Sequence, residues 1–180
     1  MVKQGEMRSK QPPMKSGSPD DFQTPPEALD CLIPFLKRRW EIWECACGKG
    51  NLGMALSEER FHVIGTDILT HQDFLKYKPE HFDCIITNPP YSLKEKFLER
   101  CYELKKPFAL LMPLTALESE KRQKLYRKYG IQLIIPNKRF NFETPSGNGS
   151  GSWFATAWFC GNMNLPKDLN FVELNRCDNG

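Results

Sequence analysis

Phe82-Asp83-Cys84-Ile85-Ile86-Thr87-Asn88-Pro89-Pro90-Tyr91 is the stretch whose reading decides the fold. Its first six residues are an apolar run of strand length, the pattern of a buried strand in a parallel sheet. The run stops at two prolines. Each lacks a backbone donor and fixes φ, so strand pairing ends there and the chain continues stiff and extended. Ligands of open α/β sheets bind beyond the carboxyl ends of strands, which is where residues 88–91 fall. Held rigidly, the Asn88 amide oxygen and the Pro89 carbonyl form a pair of acceptors, with the Tyr91 ring as a flat surface beside them. That set suits gripping a planar amide or an aromatic amine by its N–H groups. A plain strand-ending Pro-Pro turn is the competing reading of the tetrapeptide taken alone.

Outward from this stretch, strands and helices alternate. Upstream, Ile42-Trp43 reads as a short strand, the Gly48-Lys49-Gly50 turn opens a helix carrying Leu52, Ala55 and Leu56, and residues 62–66 form a second strand. Downstream, a helix with Leu93, Phe97, Cys101 and Leu104 inward leads to a strand over residues 108–112. A basic helix over 118–129 and a strand over 131–135 follow. Such alternation predicts an α/β domain with a mainly parallel sheet. Phe140 and residues 153–159 flank a Gly/Ser/Pro-rich loop without a helical pattern, which predicts a C-terminal antiparallel hairpin. Near the start, Thr24 reads as an N-cap, Pro25 as the first helical residue and Glu27 as the partner in a capping box. Ala28, Leu29, Leu32, Ile33 and Leu36 form the apolar face of that helix, with Pro34 ending or kinking it.

Composition limits the possibilities. The 180 residues suffice for one domain with a real core, and no apolar run approaches the roughly 20 residues of a membrane span. Residues 1–20 read as a flexible arm, 21–165 as the domain and 166–180 as a polar tail. No apolar signal-peptide core is evident, and an odd count of seven cysteines without paired C-x-x-C spacing argues against a disulfide framework or a zinc site. A reduced, cytoplasmic setting and no metal are the expectations. A net charge of +3 neither requires nor repels a nucleic acid.

Two further features carry chemistry. Glu44-Cys45-Ala46-Cys47-Gly48-Lys49-Gly50 joins the first strand to its helix, and its glycines let a ligand approach the main chain. It lacks the G-x-G-x-x-G of dinucleotide sites and the Gly-Lys-Ser/Thr of phosphate loops. Glu44 would repel a pyrophosphate but suits the cationic end of a methionine-type ligand. Asp67 ends the second strand about twenty residues later, where an acid accepts ribose hydroxyls. A turn or helix cap is its alternative role.

Asn-Pro-Pro-Tyr after a hydrophobic strand resembles the catalytic motif of S-adenosylmethionine-dependent amino-methyltransferases, above all the adenine-N6 DNA methyltransferases. The resemblance runs in order from Phe22 to Phe159. It implies a Rossmann-like class I methyltransferase fold with S-adenosylmethionine as cofactor. Asn88, Pro89, Pro90 and Tyr91 would then be catalytic. Thr24 and Pro25, within Phe22-Gln23-Thr24-Pro25, would fold over the methionine end. Glu44, Ala46, Cys47, Gly48, Gly50, Asp67 and Ile68 would surround the rest, with Asp73 and Phe74 at the adenine and Asn88 shared between cofactor and acceptor. Tyr91 would stack on the target base, with Phe140 or Phe142 as the second aromatic and Lys138 and Arg139 on nearby phosphates. Those families often have a proline after the acid where this chain has Cys45, a difference in loop stiffness rather than charge. DNA is the implied partner, and a specificity protein is a second, because the chain has little room for target recognition. RNA adenine and a protein glutamine amide present the same donors, and a non-catalytic cofactor-binding subunit is a further alternative. The basic stretch 121–128 reads either as a solvated helix face or as a phosphate-binding ridge.

Overall fold

The computed structural model describes residues 24–140, 142–144, 147–148 and 154–174, so the expected N-terminal arm, Phe22, Gln23 and the last six residues lie outside it. The elements, in chain order, are α1 (Pro26–Asp30), a 3-10 turn (Ile33–Phe35), β1 (Glu41–Glu44), α2 (Asn51–Glu58), β2 (His62–Gly65), β3 (Cys84–Thr87), α3 (Lys94–Leu104), β4 (Phe108–Pro113), α4 (Glu120–Tyr129) and β5 (Gln132–Pro136). A two-stranded ribbon of β6 (Glu143–Thr144) and β7 (Gly147–Asn148) precedes β8 (Thr156–Gly161) and β9 (Leu169–Val172). Seven strands make one sheet in the order β2-β1-β3-β4-β8-β5-β9. β2, β1, β3 and β4 pair in parallel, β8 runs antiparallel between β4 and β5, and β9 lies parallel to β5. The α/β class with a mainly parallel sheet is therefore the one expected.

Burial explains the central strands. Every residue of β3, β4 and β8 is buried, because helices cover both faces and leave no side to polar residues. On one face Leu29, Leu32, Leu56, Ile42, Ile86 and Trp158 pack beneath α1 and α2. On the other, Trp43, Ile85, Phe97, Phe108, Leu110 and Phe159 pack beneath α3 and α4. The two buried tryptophans keep their donors satisfied. Trp158 Nε1 donates to the Ala28 carbonyl at 2.7 Å, and Trp43 Nε1 to Thr66 Oγ1 at 2.8 Å.

Three expectations are corrected. The first helix is only five residues long, starts at Pro26 and carries no side-chain cap, so Thr24 and Glu27 form no capping box. A residue before proline is pushed into the extended region, and Pro25 accordingly has φ −74° and ψ 149°, which delays the helix by one residue. Pro34 then sits in the 3-10 turn that stops it. Second, the expected C-terminal antiparallel pairing is present, but its first strand is β5 and not a strand at Phe140, with β8 lying between β4 and β5. Third, part of the expected polar tail is the edge strand β9. Its Asn170 is buried, yet donates through Nδ2 to the carbonyls of Leu133 (3.1 Å) and Lys167 (2.7 Å), so a polar residue fits a strand position. Among the described residues no helix is long and apolar enough to cross a membrane.

Candidate active site

β1 and β3 are neighbours in parallel register, Trp43 opposite Ile85. Their carboxyl ends therefore lie side by side, about 4.8 Å apart as adjacent strands do. The glycine turn leaves one and Asn88 leaves the other. Two stretches 40 residues apart in the chain meet here because the sheet places them together.

The turn after β1 is held by main-chain bonds. Thr66 N donates to the Glu44 carbonyl (2.9 Å), Cys47 N to the Thr66 carbonyl (3.0 Å) and Gly50 N to the Cys47 carbonyl. Gly48 and Gly50 have φ of +49° and +84°, the left-handed region that other residues enter only at a cost. A Cβ at either would meet nothing within 4 Å, so the backbone faces open space where a ligand can lie against it. Asp67 fastens the turn from the next strand: Oδ2 accepts from Gly48 N and Oδ1 from Leu69 N, both at 2.9 Å. It thus caps the 3-10 turn Ile68–Thr70, and the alternative weighed for it holds. A carboxylate has acceptor capacity beyond two such bonds. Ile68 and Leu69 stand beside it, exposed despite being apolar.

Glu44 is the unusual group. It is 3% exposed, and its Oε2 has no hydrogen-bond partner among the described residues. Burial pushes its carboxyl up to about 8, with the Gly53 amide pulling the other way and nearby Asp67 adding to the rise. Burial also raises the Cys47 thiol, with Glu44 and Asp67 adding to it. A buried acid with an unused oxygen is costly unless something positive or donating arrives. Gly53 makes room for it: a Cβ there would stand 2.7 Å from Glu44 Oε2. Gly53 carries a signal in the sequence, a glycine in the first turn of a helix, where it weakens the helix without a turn to excuse it.

On the acceptor side, Asn88 Oδ1 is buried and Tyr91 is 7% exposed. Pro90 stays extended at φ −55° and ψ 122°, and a 3-10 turn, Tyr91–Leu93, leads into α3. Lys94 Nζ donates to the Tyr91 carbonyl at 2.9 Å. The Tyr91 ring meets Phe154 edge to face, centroids 5.5 Å apart at 70°. Phe154 is placed by its neighbour, since Leu114 N, just past β4, donates to the Ala155 carbonyl at 2.9 Å. Nothing in the sequence marked Phe154 apart from its place just before the last central strand.

Other expected site residues distribute unevenly. Thr24 is buried, next to Pro25 at the start of α1. Ala46 is half-buried in the glycine turn. Asp73 accepts from Leu75 N at 3.0 Å and lies 4.0 Å from Lys76. Phe74 is buried, its ring packing on Phe97 (4.7 Å) and Trp43 (5.1 Å) in the cluster beneath α3 and α4. Phe140 is fully buried in the cluster beneath α1 and α2, with Phe142 6.4 Å away in the same cluster. The chain leaving β5 turns these apolar rings into the core. Lys138 and Arg139 are exposed just beyond β5, at the same end of the sheet as Asn88. No cluster of metal-ligating residues occurs among the described residues.

No family model matches the sequence, and no curated protein matches it. Solved structures do match. The methyltransferase subunit of a type I restriction-modification system from Streptococcus thermophilus superimposes with a TM-score of 0.56 at 17% identity, over 84% of this chain and 47% of that one. A modification subunit assigned to a type I restriction enzyme of Vibrio vulnificus YJ016 gives 0.52 at 13% identity, over 89% and 48%. A protein assigned as a class I S-adenosylmethionine-dependent methyltransferase from Listeria monocytogenes gives 0.56 at 15%, over 83% and 62%. The chain spans about half the length of the two modification subunits. At these identities the likeness concerns the fold, and the fold is that of the class I methyltransferases.

Proposed function

We propose that the chain transfers a methyl group from S-adenosylmethionine to the exocyclic N6 amine of adenine in DNA. The observation that carries this reading is the side-by-side placement of Asn88 and the glycine turn at the carboxyl ends of β3 and β1. The likeness to restriction-modification subunits favours DNA over RNA or a protein amide.

The residues present fit the cofactor. Glu44's unused buried oxygen suits a cationic group, the open faces of Gly48 and Gly50 admit a ligand, and Asp67 keeps acceptor capacity for hydroxyls. Ile68 offers an apolar wall, Asp73 an acceptor for an amine, and Thr24 and Pro25 a cover. When bound, S-adenosylmethionine supplies an activated methyl group on a sulfonium.

The chain's own part is positioning and charge. An aromatic amine is a poor nucleophile because its lone pair is delocalised into the ring. Asn88 Oδ1 and the Pro89 carbonyl accept its two N–H groups and draw the nitrogen toward tetrahedral geometry, which localises the pair without a strong base. The same oxygens stabilise the positive charge that develops on nitrogen. Fixing nucleophile and electrophile in line carries much of the rate. Tyr91, edged by Phe154, is the surface for the base, which leaves the duplex at a cost of roughly a few kcal/mol. Lys138 and Arg139 meet phosphates at the same end of the sheet.

The test incubates the purified chain with methyl-labelled S-adenosylmethionine and DNA, RNA and protein in parallel, then digests each to nucleosides or amino acids. Label in N6-methyladenine from DNA supports the proposal. Label confined to RNA or glutamine rejects the substrate, and none anywhere rejects catalysis.

A further inference from the structure

Of the five cations in the basic stretch 121–128, Lys121, Lys124, Arg127 and Lys128 are exposed, and Arg122 turns inward. Lys124 Nζ lies 2.8 Å from Glu120, and Lys121 Nζ lies 3.3 Å from Glu95. Arg122 is buried outright, at 9% exposure. Its Nε donates to the Ala116 carbonyl at 2.6 Å, and its Nη1 lies 3.7 Å from Glu95 Oε2. Tyr126, one turn on, donates its hydroxyl to the same carbonyl at 3.2 Å.

The two groups Arg122 holds lie on segments tied to Phe154 and Tyr91. Ala116 belongs to the 3-10 turn Leu114–Leu117 that follows β4, and Leu114 in that turn bonds Ala155 beside Phe154. Glu95 is in the first turn of α3, four residues after Tyr91 and next to Lys94, which holds the Tyr91 carbonyl. A planar guanidinium can address a carbonyl and a carboxylate at once, whereas an ammonium has a single centre. Burying a charge for packing alone is expensive, and an apolar residue would fill this place at less cost.

We propose that Arg122 is a positioning residue for the acceptor site, clamping the turn after β4 to the start of α3 so that Phe154 and Tyr91 keep their mutual geometry. This rests on the reading of residues 88–91 as the acceptor side. It acts through Ala116 and Glu95 and does not touch the substrate.

The test compares Arg122→Gln, Arg122→Lys and the milder Glu95→Gln in the full chain. The readouts are kcat and KM for an adenine-containing oligonucleotide, cofactor Kd by calorimetry, and hydrogen exchange of peptides spanning residues 91–97, 114–117 and 44–52. For Arg122→Gln, acceptor kcat/KM falls roughly 10- to 100-fold, the scale of a small misplacement of reacting groups. Cofactor Kd stays within about twofold, as for sites that share no partner. Exchange accelerates at 91–97 and 114–117 but not at 44–52. Arg122→Lys recovers part of the loss, and Glu95→Gln loosens 91–97 more than 114–117. Equal losses in cofactor and acceptor terms, acceleration throughout the chain, or unchanged acceptor kinetics overturns the proposal. If the wild-type chain transfers no methyl group, the functional reading falls by itself. The exchange comparison then still judges the clamp: selective loosening of the two segments upholds it, and unchanged exchange removes it.

Discussion

Glu44→Gln isolates the charge on the one buried acid of the glycine turn. Burial is the main cause that pushes its carboxyl up to about 8 from an ordinary 4.5. The difference between 4.5 and about 8 corresponds, at about 1.36 kcal/mol per pH unit, to on the order of 4–5 kcal/mol as an upper figure. The sign follows from which form the fold prefers. The neutral acid is favoured in the folded, ligand-free chain, so its stability contribution is full below about pH 4.5, is lost as pH rises toward 8, and is level above that. Glutamine cannot ionise, so the variant lacks this decline and gains relative stability at pH 8. Cofactor binding runs the other way. If a cationic ligand needs the carboxylate, the apparent Kd carries a factor of roughly 1 + 10^(8 − pH), which is ~100 at pH 6 and ~2 at pH 8, so affinity improves about 50-fold across that range. Asp67, Cys45 and Cys47 surround the group, and the amino group of the ligand titrates as well, so the quantity that matters is the wild-type slope minus the variant slope. Calorimetry at several pH values, in buffers of different ionisation enthalpy, measures both the slope and the proton released. Parallel slopes for the two proteins, with no difference in proton release, would refute a charged role for Glu44.

Gly53→Ala places a methyl group 2.7 Å from Glu44 Oε2, so α2 or the carboxylate must shift. Thermal melting should show a loss of about 1–3 kcal/mol, with weaker cofactor binding. Trp158→Phe leaves the Ala28 carbonyl without its 2.7 Å donor and should cost about 1–3 kcal/mol in denaturant titration. Phe154→Ala removes the ring edged against Tyr91 and should raise acceptor KM while leaving cofactor Kd unchanged. Lys138→Ala should lower the salt dependence of DNA binding by a slope of about 1, whereas Lys121→Ala, which loses a contact with Glu95, should leave that slope unchanged.

The sheet was legible because β3, β4 and β8 are wholly buried and β5 largely apolar, so the strands stand out as mainly apolar runs. Residues 82–87, 108–112 and 131–135 each predicted a strand that exists within two residues. The glycine turn and the Asn88 stretch were legible for a related reason: both depart sharply from the apolar pattern at a strand's carboxyl end. What stayed hidden depended on distant partners. Asn170 looks like tail until Leu133 is beside it, and Arg122 looks like one more surface cation until Ala116 and Glu95 close around it. Phe74, Phe140 and Phe154 cannot be ranked by type, since an aromatic ring serves a core or a pocket equally well. Only the packing shows that the first two are core and the third meets Tyr91. The early helix failed for a local reason that could have been read: Pro26 forces Pro25 out of the helical region.

Asn88→Ala should decide whether the oxygens at the end of β3 are the chemical centre. With S-adenosylmethionine binding followed by calorimetry and N6-methyladenine formation by nucleoside digestion, kcat should fall by at least about 100-fold while cofactor Kd changes by less than about tenfold, the pattern of an interaction made chiefly in the transition state. Methyl transfer by the variant at near the wild-type rate would contradict it.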